Sequence, residues 1–199
     1  GEYDAAEDEL YSALELAEQD NLEMNDAYVL FYFGILYNKQ EKYKKSIRHL
    51  KMALEIYFKY DSQMEIAATL HNLGMVLTNS GKVEESMDCF NRSLKIKIEF
   101  EDSNTIASSY NQIANAYLAQ GAFTFAIDNS RKSLGYYTKI GNHYNAGITS
   151  IVLSDSYAQI GYFNEMEEYL KESKSVFSEF NNYFMLGKIA ALFGLEYFN

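Results

Sequence analysis

Three histidines, one cysteine and several carboxylates are the residues of this chain whose types could support acid, base, nucleophilic or metal chemistry. His49, His71 and His143 each lack a histidine, cysteine or carboxylate three or four residues away, the spacing at which one helix face gathers metal ligands. Cys89, the only cysteine, has no histidine at that spacing either. The sequence therefore predicts no metal site, no cysteine nucleophile and no cofactor.

The acidic runs and the glycines have simpler explanations than catalysis or phosphate binding. The runs at 6–9 and 165–168 are typical of a solvated helix face. Gly74 and Gly81 stand in the stretch LHNLGMVLTNSGKVEES, which contains neither of the glycine-rich patterns that cradle phosphates. We interpret Gly74 as a helix contact and Gly81 as a turn, and we expect no enzymatic activity.

The composition indicates a folded protein whose negative net charge disfavours binding to anionic surfaces. Of its 199 residues, 48% are hydrophobic and 23% are charged, and the net charge is −11. This charge repels nucleic-acid phosphates and anionic lipid headgroups, and no apolar run approaches the roughly 20 residues of a membrane-spanning helix. We expect no direct contact with nucleic acid and no membrane insertion by this segment. A single cysteine leaves the compartment open, and a bacterial cytoplasm and a periplasm are both compatible.

The elements that must position these residues follow a repeat of forty residues. Four copies keep size and polarity at most of ten positions, which in the second copy are Leu70, Leu73, Gly74, Leu77, Gly81, Val83, Ser86, Phe90, Ser93 and Leu94. Each copy has two segments with apolar residues three and four apart, joined by a short turn, and this pattern predicts a helix hairpin. No segment alternates with period two, so we predict an all-α fold of about ten antiparallel helices.

The repeat extends beyond the four full copies at both ends. Full repeats are expected at about 25–61, 62–101, 102–141 and 142–181 of a single array covering 1–199. Residues 1–20 fit the second helix of a partial repeat, and residues 183–199 fit the first helix of another. We expect truncated ends with apolar faces that a longer chain, a partner or a second copy would cover, so a homodimer through these faces is one expectation.

The pattern L-x2-L-G-x2-[YL], followed by G-x-[FVY]-x2-[AS]-x3-F-x2-[AS]-L, resembles the tetratricopeptide repeat. The resemblance covers nearly the whole chain, and the forty-residue spacing is similar to that of an elongated subclass found in bacterial regulatory proteins. The chain departs from the pattern at Ser130, Met166 and Lys174, where an aromatic residue, a small residue and leucine are usual. The resemblance implies a right-handed superhelical solenoid in which each hairpin covers the apolar face of its neighbour.

The resemblance also implies where a ligand would bind, because the first helix of each repeat lines a concave groove in this family. The family's groove positions, carried over by register, give a peptide-binding site of Tyr28, Phe31, Tyr32, Ile35, His71, Asn72, Met75, Asn79, Asn111, Gln112, Asn115, Ile151, Asp155 and Gln159. Amide side chains offer a donor and an acceptor together, and so can hold the backbone of an extended peptide. Basic residues are scarce here, which favours a neutral or basic segment over an acidic one.

The sequence thus predicts a protein or peptide interaction module without catalysis. By analogy with the family's bacterial members, we expect the sensor or docking region of a larger transcriptional or signalling protein. Two alternatives stay open. One is a structural scaffold that self-associates through its end faces, and the other is a small-molecule site or enzyme around His71, Asn111 and Asp155.

Overall fold

The chain folds into ten α-helices, as a computed structural model that describes residues 2–19 and 23–196 shows. No strand occurs within these two ranges. The predicted all-α class and the number of helices are therefore confirmed. The helices are α1 (Glu2–Gln19), α2 (Glu23–Lys39), α3 (Tyr43–Lys59), α4 (Gln63–Asn79), α5 (Val83–Glu99), α6 (Ser103–Ala119), α7 (Phe123–Lys139), α8 (His143–Gln159), α9 (Phe163–Glu179) and α10 (Tyr183–Glu196).

Successive helices from α2 onward begin twenty residues apart and are joined by turns of three residues. At Gly81, with φ at 80°, the Gly81 N–H donates to the Thr78 carbonyl at 3.0 Å and the Lys82 N–H donates to the Leu77 carbonyl at 2.8 Å. This arrangement satisfies carbonyls at the end of α4 and needs the left-handed backbone that glycine adopts without strain. The middle residue of each of the eight turns between α2 and α10 has a positive φ, namely Glu41, Asp61, Gly81, Glu101, Gly121, Gly141, Gly161 and Asn181.

The helices divide into two compact units, Gly1–Phe100 and Glu101–Asn199. In the first unit α2 packs on α3 and α4 on α5, while in the second unit α6 packs on α7 and α8 on α9. The first helices of neighbouring hairpins also touch, α2 against α4 and α6 against α8. The single array with partial repeats at 1–20 and 183–199 stays a prediction, and residues 1, 20–22 and 197–199 lie outside the described residues.

Glycine allows close packing of the two helices within each hairpin of the first unit. A Cβ atom at Gly34 would lie 2.5 Å from Leu50 Cγ, and one at Gly74 would lie 2.6 Å from Phe90 Cε1. Leu50 and Phe90 are fully buried, so neither can move aside without disturbing a close-packed core. These contacts set the distance between the helices of a hairpin.

In the α6/α7 hairpin of the second unit, an alanine replaces the glycine and a smaller side chain lies opposite it. By the forty-residue register, Ala114 occupies the place of Gly74 and Ser130 the place of Phe90, and both are fully buried. A serine opposite the alanine leaves room for the added Cβ, which gives a physical reason for the missing aromatic residue at 130.

Buried serines on the second helices bond across to the first helices. Ser93 Oγ of α5 donates to the Ala67 carbonyl of α4 at 2.7 Å. The same bond recurs forty and eighty residues further along the chain, from Ser133 to Ala107 at 2.8 Å and from Ser173 to Gly147 at 3.1 Å. Because each hydroxyl finds an acceptor, these small polar side chains are tolerated in a buried helix interface.

Alanine substitutions at two helical glycines separate the packing role of Gly74 from helix propensity. Gly135 on α7 is exposed, and a Cβ there would meet nothing within 4 Å, so Gly135→Ala should raise the free energy of unfolding by about 0.5–1 kcal/mol. Gly74→Ala gains the same propensity but overpacks Phe90, which costs about 1–3 kcal/mol. Chemical denaturation followed by circular dichroism measures both variants. Equal shifts for the two would contradict the contact role of Gly74.

Candidate functional site

The predicted site residues lie on the first helices of both units. Helices α2 and α4 carry eight of them, and helices α6 and α8 carry the other six. Because α2 touches α4 and α6 touches α8, each unit has its own candidate surface. We call these the α2/α4 surface and the α6/α8 surface.

An aromatic pocket of about 320 Å³ opens on the α2/α4 surface. Tyr28, Phe31 and Tyr32 of α2 line it together with Tyr57 of α3 and Glu65 of α4. The side chains of Tyr28 and Tyr32 are exposed, whereas Tyr57 is buried. The Tyr28 and Tyr57 rings meet edge to face with centroids 5.8 Å apart, and the Phe31 and Tyr32 rings do so at 5.5 Å. Three predicted residues thus converge on one pocket.

A single carboxylate, that of Glu65, lines this aromatic pocket. The Tyr28 hydroxyl donates to Glu65 Oε1 at 3.2 Å. The negative charge of Glu65 raises the pKa of Tyr28 above its usual value, and burial raises the pKa of Tyr57. Both phenols are therefore neutral at physiological pH, and the formal charge of the pocket comes from Glu65.

The amides on α4 are held by local hydrogen bonds. Asn72 is half-buried, and its Nδ2 donates to the Ala68 carbonyl at 2.9 Å. Asn79 is exposed and donates from Nδ2 to Asn38 Oδ1 of α2 at 3.2 Å. The remaining predicted residues of the first unit, Ile35 and Met75, are half-buried. The α4 amides therefore sit at the surface with part of their hydrogen-bonding capacity in use.

His71 lies against the neighbouring helix of its own hairpin. Its ring meets the edge of Phe90 with centroids 5.7 Å apart, and its Nδ1 is buried without a hydrogen-bond partner among the described residues. Burial lowers the pKa of His71 to about 3, and the positive charge of Lys97 acts in the same direction. His71 is therefore neutral at physiological pH and brings no positive charge to the α2/α4 surface.

The burial of His71 predicts an unusual titration. Its pKa of about 3 lies below the ordinary value of 6.5, so the unfolded chain takes up the proton first, and protonation of this residue destabilises the fold as pH falls below about 6.5. The imidazole resonances in a two-dimensional NMR titration should keep the shifts of the neutral ring down to about pH 4. A His71 midpoint between pH 6 and 7 would show that the ring is solvated instead.

The α6/α8 surface has a pocket of about 400 Å³ with a different lining. Asn115 of α6 and Ile151 and Asp155 of α8 line it together with Met185 and Lys188 of α10. The pocket is thus largely aliphatic, with one amide and one charge of each sign. Three further predicted residues come together here.

The other amides of the second unit are engaged to different extents. Asn115 Nδ2 donates to the Asn111 carbonyl at 2.9 Å, and the exposed Gln159 donates to Asp155 Oδ1 at 3.2 Å. Asn111 is only 8% exposed, and its Oδ1 has no hydrogen-bond partner within the described part of the chain. Gln112 is half-buried. Asn115 is therefore the accessible amide in the pocket, whereas Asn111 is mostly enclosed.

Sequence reasoning missed several residues that complete the two pockets. Tyr57 lies on a second helix, and Glu65 stands outside the groove positions carried over from the family. A signal for Glu65 was present, because the forty-residue register places Ala68 beside Tyr28, and Glu65 lies about one helical turn before Ala68. Met185 of α10 was missed because the groove positions were carried over only for the four full repeats.

The remaining residues with possible reactive chemistry are potential metal ligands and the thiol of Cys89. In residues 2–19 and 23–196 no group of His, Cys, Asp and Glu is placed to hold a metal ion. Burial raises the pKa of the Cys89 thiol to about 11, so the thiol stays protonated at neutral pH and is a poor nucleophile. None of the described helices combines the length and apolar composition that crossing a membrane requires.

Part of the chain matches the model of a known repeat family. Residues 65–139, from α4 to the end of α7, match the tetratricopeptide repeat model. This segment is similar to tetratricopeptide repeats. The resemblance predicted from the sequence is confirmed, and folds built from these repeats are typically non-enzymatic. No curated protein sequence matches the chain significantly.

Solved structures of repeat proteins share the fold of this chain. The apo form of RapI is 21% identical, with a TM-score of 0.85 over 98% of this chain and 74% of its own. BtubC (BKLC) from P. vanneervenii is 18% identical, with a TM-score of 0.82 over 92% of this chain and 76% of its own. The Rap conjugation gene regulator of plasmid pLS20, solved with the Phr* peptide, is 18% identical, with a TM-score of 0.79 over 97% of this chain and 52% of its own. These similarities confirm the predicted fold class of tetratricopeptide-like hairpins.

Proposed function

We propose that the chain is an interaction module that binds an extended protein or peptide segment on the surfaces of its first helices. The observation that carries this proposal is that the side-chain amides of Asn72 and Asn115 keep part of their hydrogen-bonding capacity unused. Each donates one N–H to a carbonyl of its own helix, and its Oδ1 and second N–H make no hydrogen bond to the described residues. A donor and an acceptor thus stay available together, as pairing with a peptide backbone requires.

Apolar pockets beside these amides support the proposal. On the α2/α4 surface the aromatic pocket offers Tyr28 and Tyr32, both exposed. On the α6/α8 surface Asn115 itself lines a pocket with Ile151. Amides that hold a backbone next to pockets that take side chains match the way extended segments are commonly recognised, in which the main chain supplies affinity and the pockets supply preference.

The structural neighbours and the charge of the chain support a polypeptide ligand that is neutral or basic. The pLS20 regulator was solved with the Phr* peptide, and its fold is similar to that of this chain. Glu65 and Asp155 place carboxylates in the two pockets, where Lys188 is the one lysine, and the net charge of the chain is −11. An acidic segment would meet repulsion here.

We infer further that the chain is the docking or sensing part of a larger regulatory protein. It spans 74% of RapI and 52% of the pLS20 regulator. The association with regulators is an analogy of fold.

Asparagine substitutions test the binding proposal. Extended peptides selected from a random displayed library on the wild-type protein should bind about threefold to tenfold more weakly to Asn72→Ala or Asn115→Ala, because each change removes a hydrogen bond to the peptide backbone. Asn129→Ala is a matched control, since Asn129 on the second helix α7 also donates Nδ2 to a carbonyl of its own helix, that of Phe125 at 2.8 Å. Isothermal titration calorimetry measures all three.

Equal affinity of the wild type and both first-helix variants would contradict this use of the amides. A loss confined to Asn129→Ala would place the ligand on the second helices instead. Circular dichroism spectra of the three variants show whether the fold is intact.

Self-association is a second candidate function that one observation favours. Tyr183 and Phe184 at the start of α10 are 78% and 72% exposed, and a pocket of about 610 Å³ lies nearby, lined by Leu186, Ile189, Ala190 and Phe193 among others. Apolar surface of this kind is typical of a protein contact. A failure to select any peptide, together with a concentration-dependent dimer in size-exclusion chromatography, would favour this function over segment binding.

A further inference from the structure

The aromatic pocket of the α2/α4 surface combines features that recognise a cation. Tyr28, Tyr32, Phe31 and Tyr57 surround it with aromatic rings, and Glu65 contributes a carboxylate. Faces of such rings attract positively charged groups. The α6/α8 pocket also has one carboxylate, that of Asp155, but no aromatic ring lines it among the described residues. The two surfaces therefore differ in chemistry.

We propose that this pocket binds the guanidinium group of an arginine side chain carried by the bound segment. The proposal rests on the proposed function for its biological ligand, but the pocket can be tested without it. A guanidinium stacks on aromatic rings through its planar face and pairs with a carboxylate through its N–H groups. The pocket presents both kinds of partner within one opening of about 320 Å³.

Among the described residues, the carboxylate of Glu65 forms a hydrogen bond but no ion pair. Tyr28 supplies the hydrogen bond to Glu65 Oε1 at 3.2 Å. No lysine, arginine or histidine of the described residues forms an ion pair with Glu65. A carboxylate in a half-buried position beside apolar rings is stabilised by a cation more than one in open water is, because the local dielectric constant is lower.

The exposed tyrosine rings of the pocket are also able to bind a cation. Tyr32 is 55% exposed and Tyr28 is 42% exposed, although each is large and apolar over most of its surface. Elsewhere in the first unit the chain supplies a cation to exposed rings, with Lys59 Nζ lying 5.4 Å from the centroid of Tyr60 and the Arg92 guanidinium lying 5.8 Å from that of Phe58. The pocket rings have no such neighbour among the described residues. An arginine from a ligand would complete them in the same manner.

A pair of small probes tests the pocket directly. Nα-acetyl-arginine methylamide and its citrulline counterpart have nearly the same shape, but citrulline is neutral. In a titration followed by NMR, the arginine probe should shift the resonances of Met64, which also lines the pocket, and should bind at least about fivefold more tightly than the citrulline probe. Equal binding of the two probes would overturn the assignment to a guanidinium, and so would tighter binding of a third probe, Nα-acetyl-lysine methylamide.

Two variants locate the effect. Glu65→Gln keeps an acceptor for Tyr28 but removes the charge, and should reduce the affinity for the arginine probe about fivefold while leaving citrulline binding unchanged. Glu84→Gln is the control, since Glu84 lies in the first turn of α5 as Glu65 lies in the first turn of α4, but Glu84 is exposed and lines no part of this pocket. An unchanged affinity of Glu65→Gln, or an equal loss in Glu84→Gln, would overturn the proposal.

The result also separates this inference from the proposed function. If displayed peptides are selected but keep their affinity when every arginine is replaced by citrulline, segment binding stands and the guanidinium pocket is wrong. If no peptide is selected but the arginine probe binds at Met64, the pocket stands and the proposed function is wrong.

Discussion

The close approach of the two helices within each hairpin is the constraint on which the rest of the structure depends. At Gly74 even one added Cβ would lie 2.6 Å from the Phe90 ring, so the two helices pack at a distance that only a small residue permits. A buried serine bond such as Ser93 to Ala67 then fixes the register of the pair. Since every helix from α2 onward begins twenty residues after the last, the same contact recurs along the chain with limited variation.

This constraint decides which surfaces can bind a ligand. Large side chains of the second helices, such as Phe90 and Leu170, are buried in the hairpin core. The first helices turn one side toward that core and leave another side at the surface, where Tyr32 and Asn115 lie. The two units present different chemistry there, aromatic with a carboxylate in the first and aliphatic with an amide in the second. The surface chemistry of each unit thus comes largely from side chains that the hairpin core leaves exposed or half-buried.

The helices were predictable because their signal is repeated, whereas the pockets depend on contacts between repeats. Gly81 marks a turn that recurs between successive helices from α2 to α10, and the forty-residue register predicts its position. Tyr57 reaches the α2/α4 pocket from the second helix α3, so no rule about positions on the first helices could include it. Glu65 lies on the first helix α4 but outside the groove positions, and only its distance of about one turn from Ala68 pointed to it. The burial of His71 was missed for a related reason, since its surroundings come from Phe90 on the next helix. Periodicity reports which face a residue occupies, but not what covers that face.

Hydrogen–deuterium exchange with and without a selected peptide tests whether the first helices bind the ligand while the second helices maintain the fold. A bound segment suppresses the local opening of the helices it contacts. If the first helices bind the peptide, amide exchange should be slower in α2, α4, α6 or α8 on binding and unchanged in α3, α5, α7 and α9. Slower exchange confined to the second helices, with the first helices unaffected, would contradict binding by the first helices.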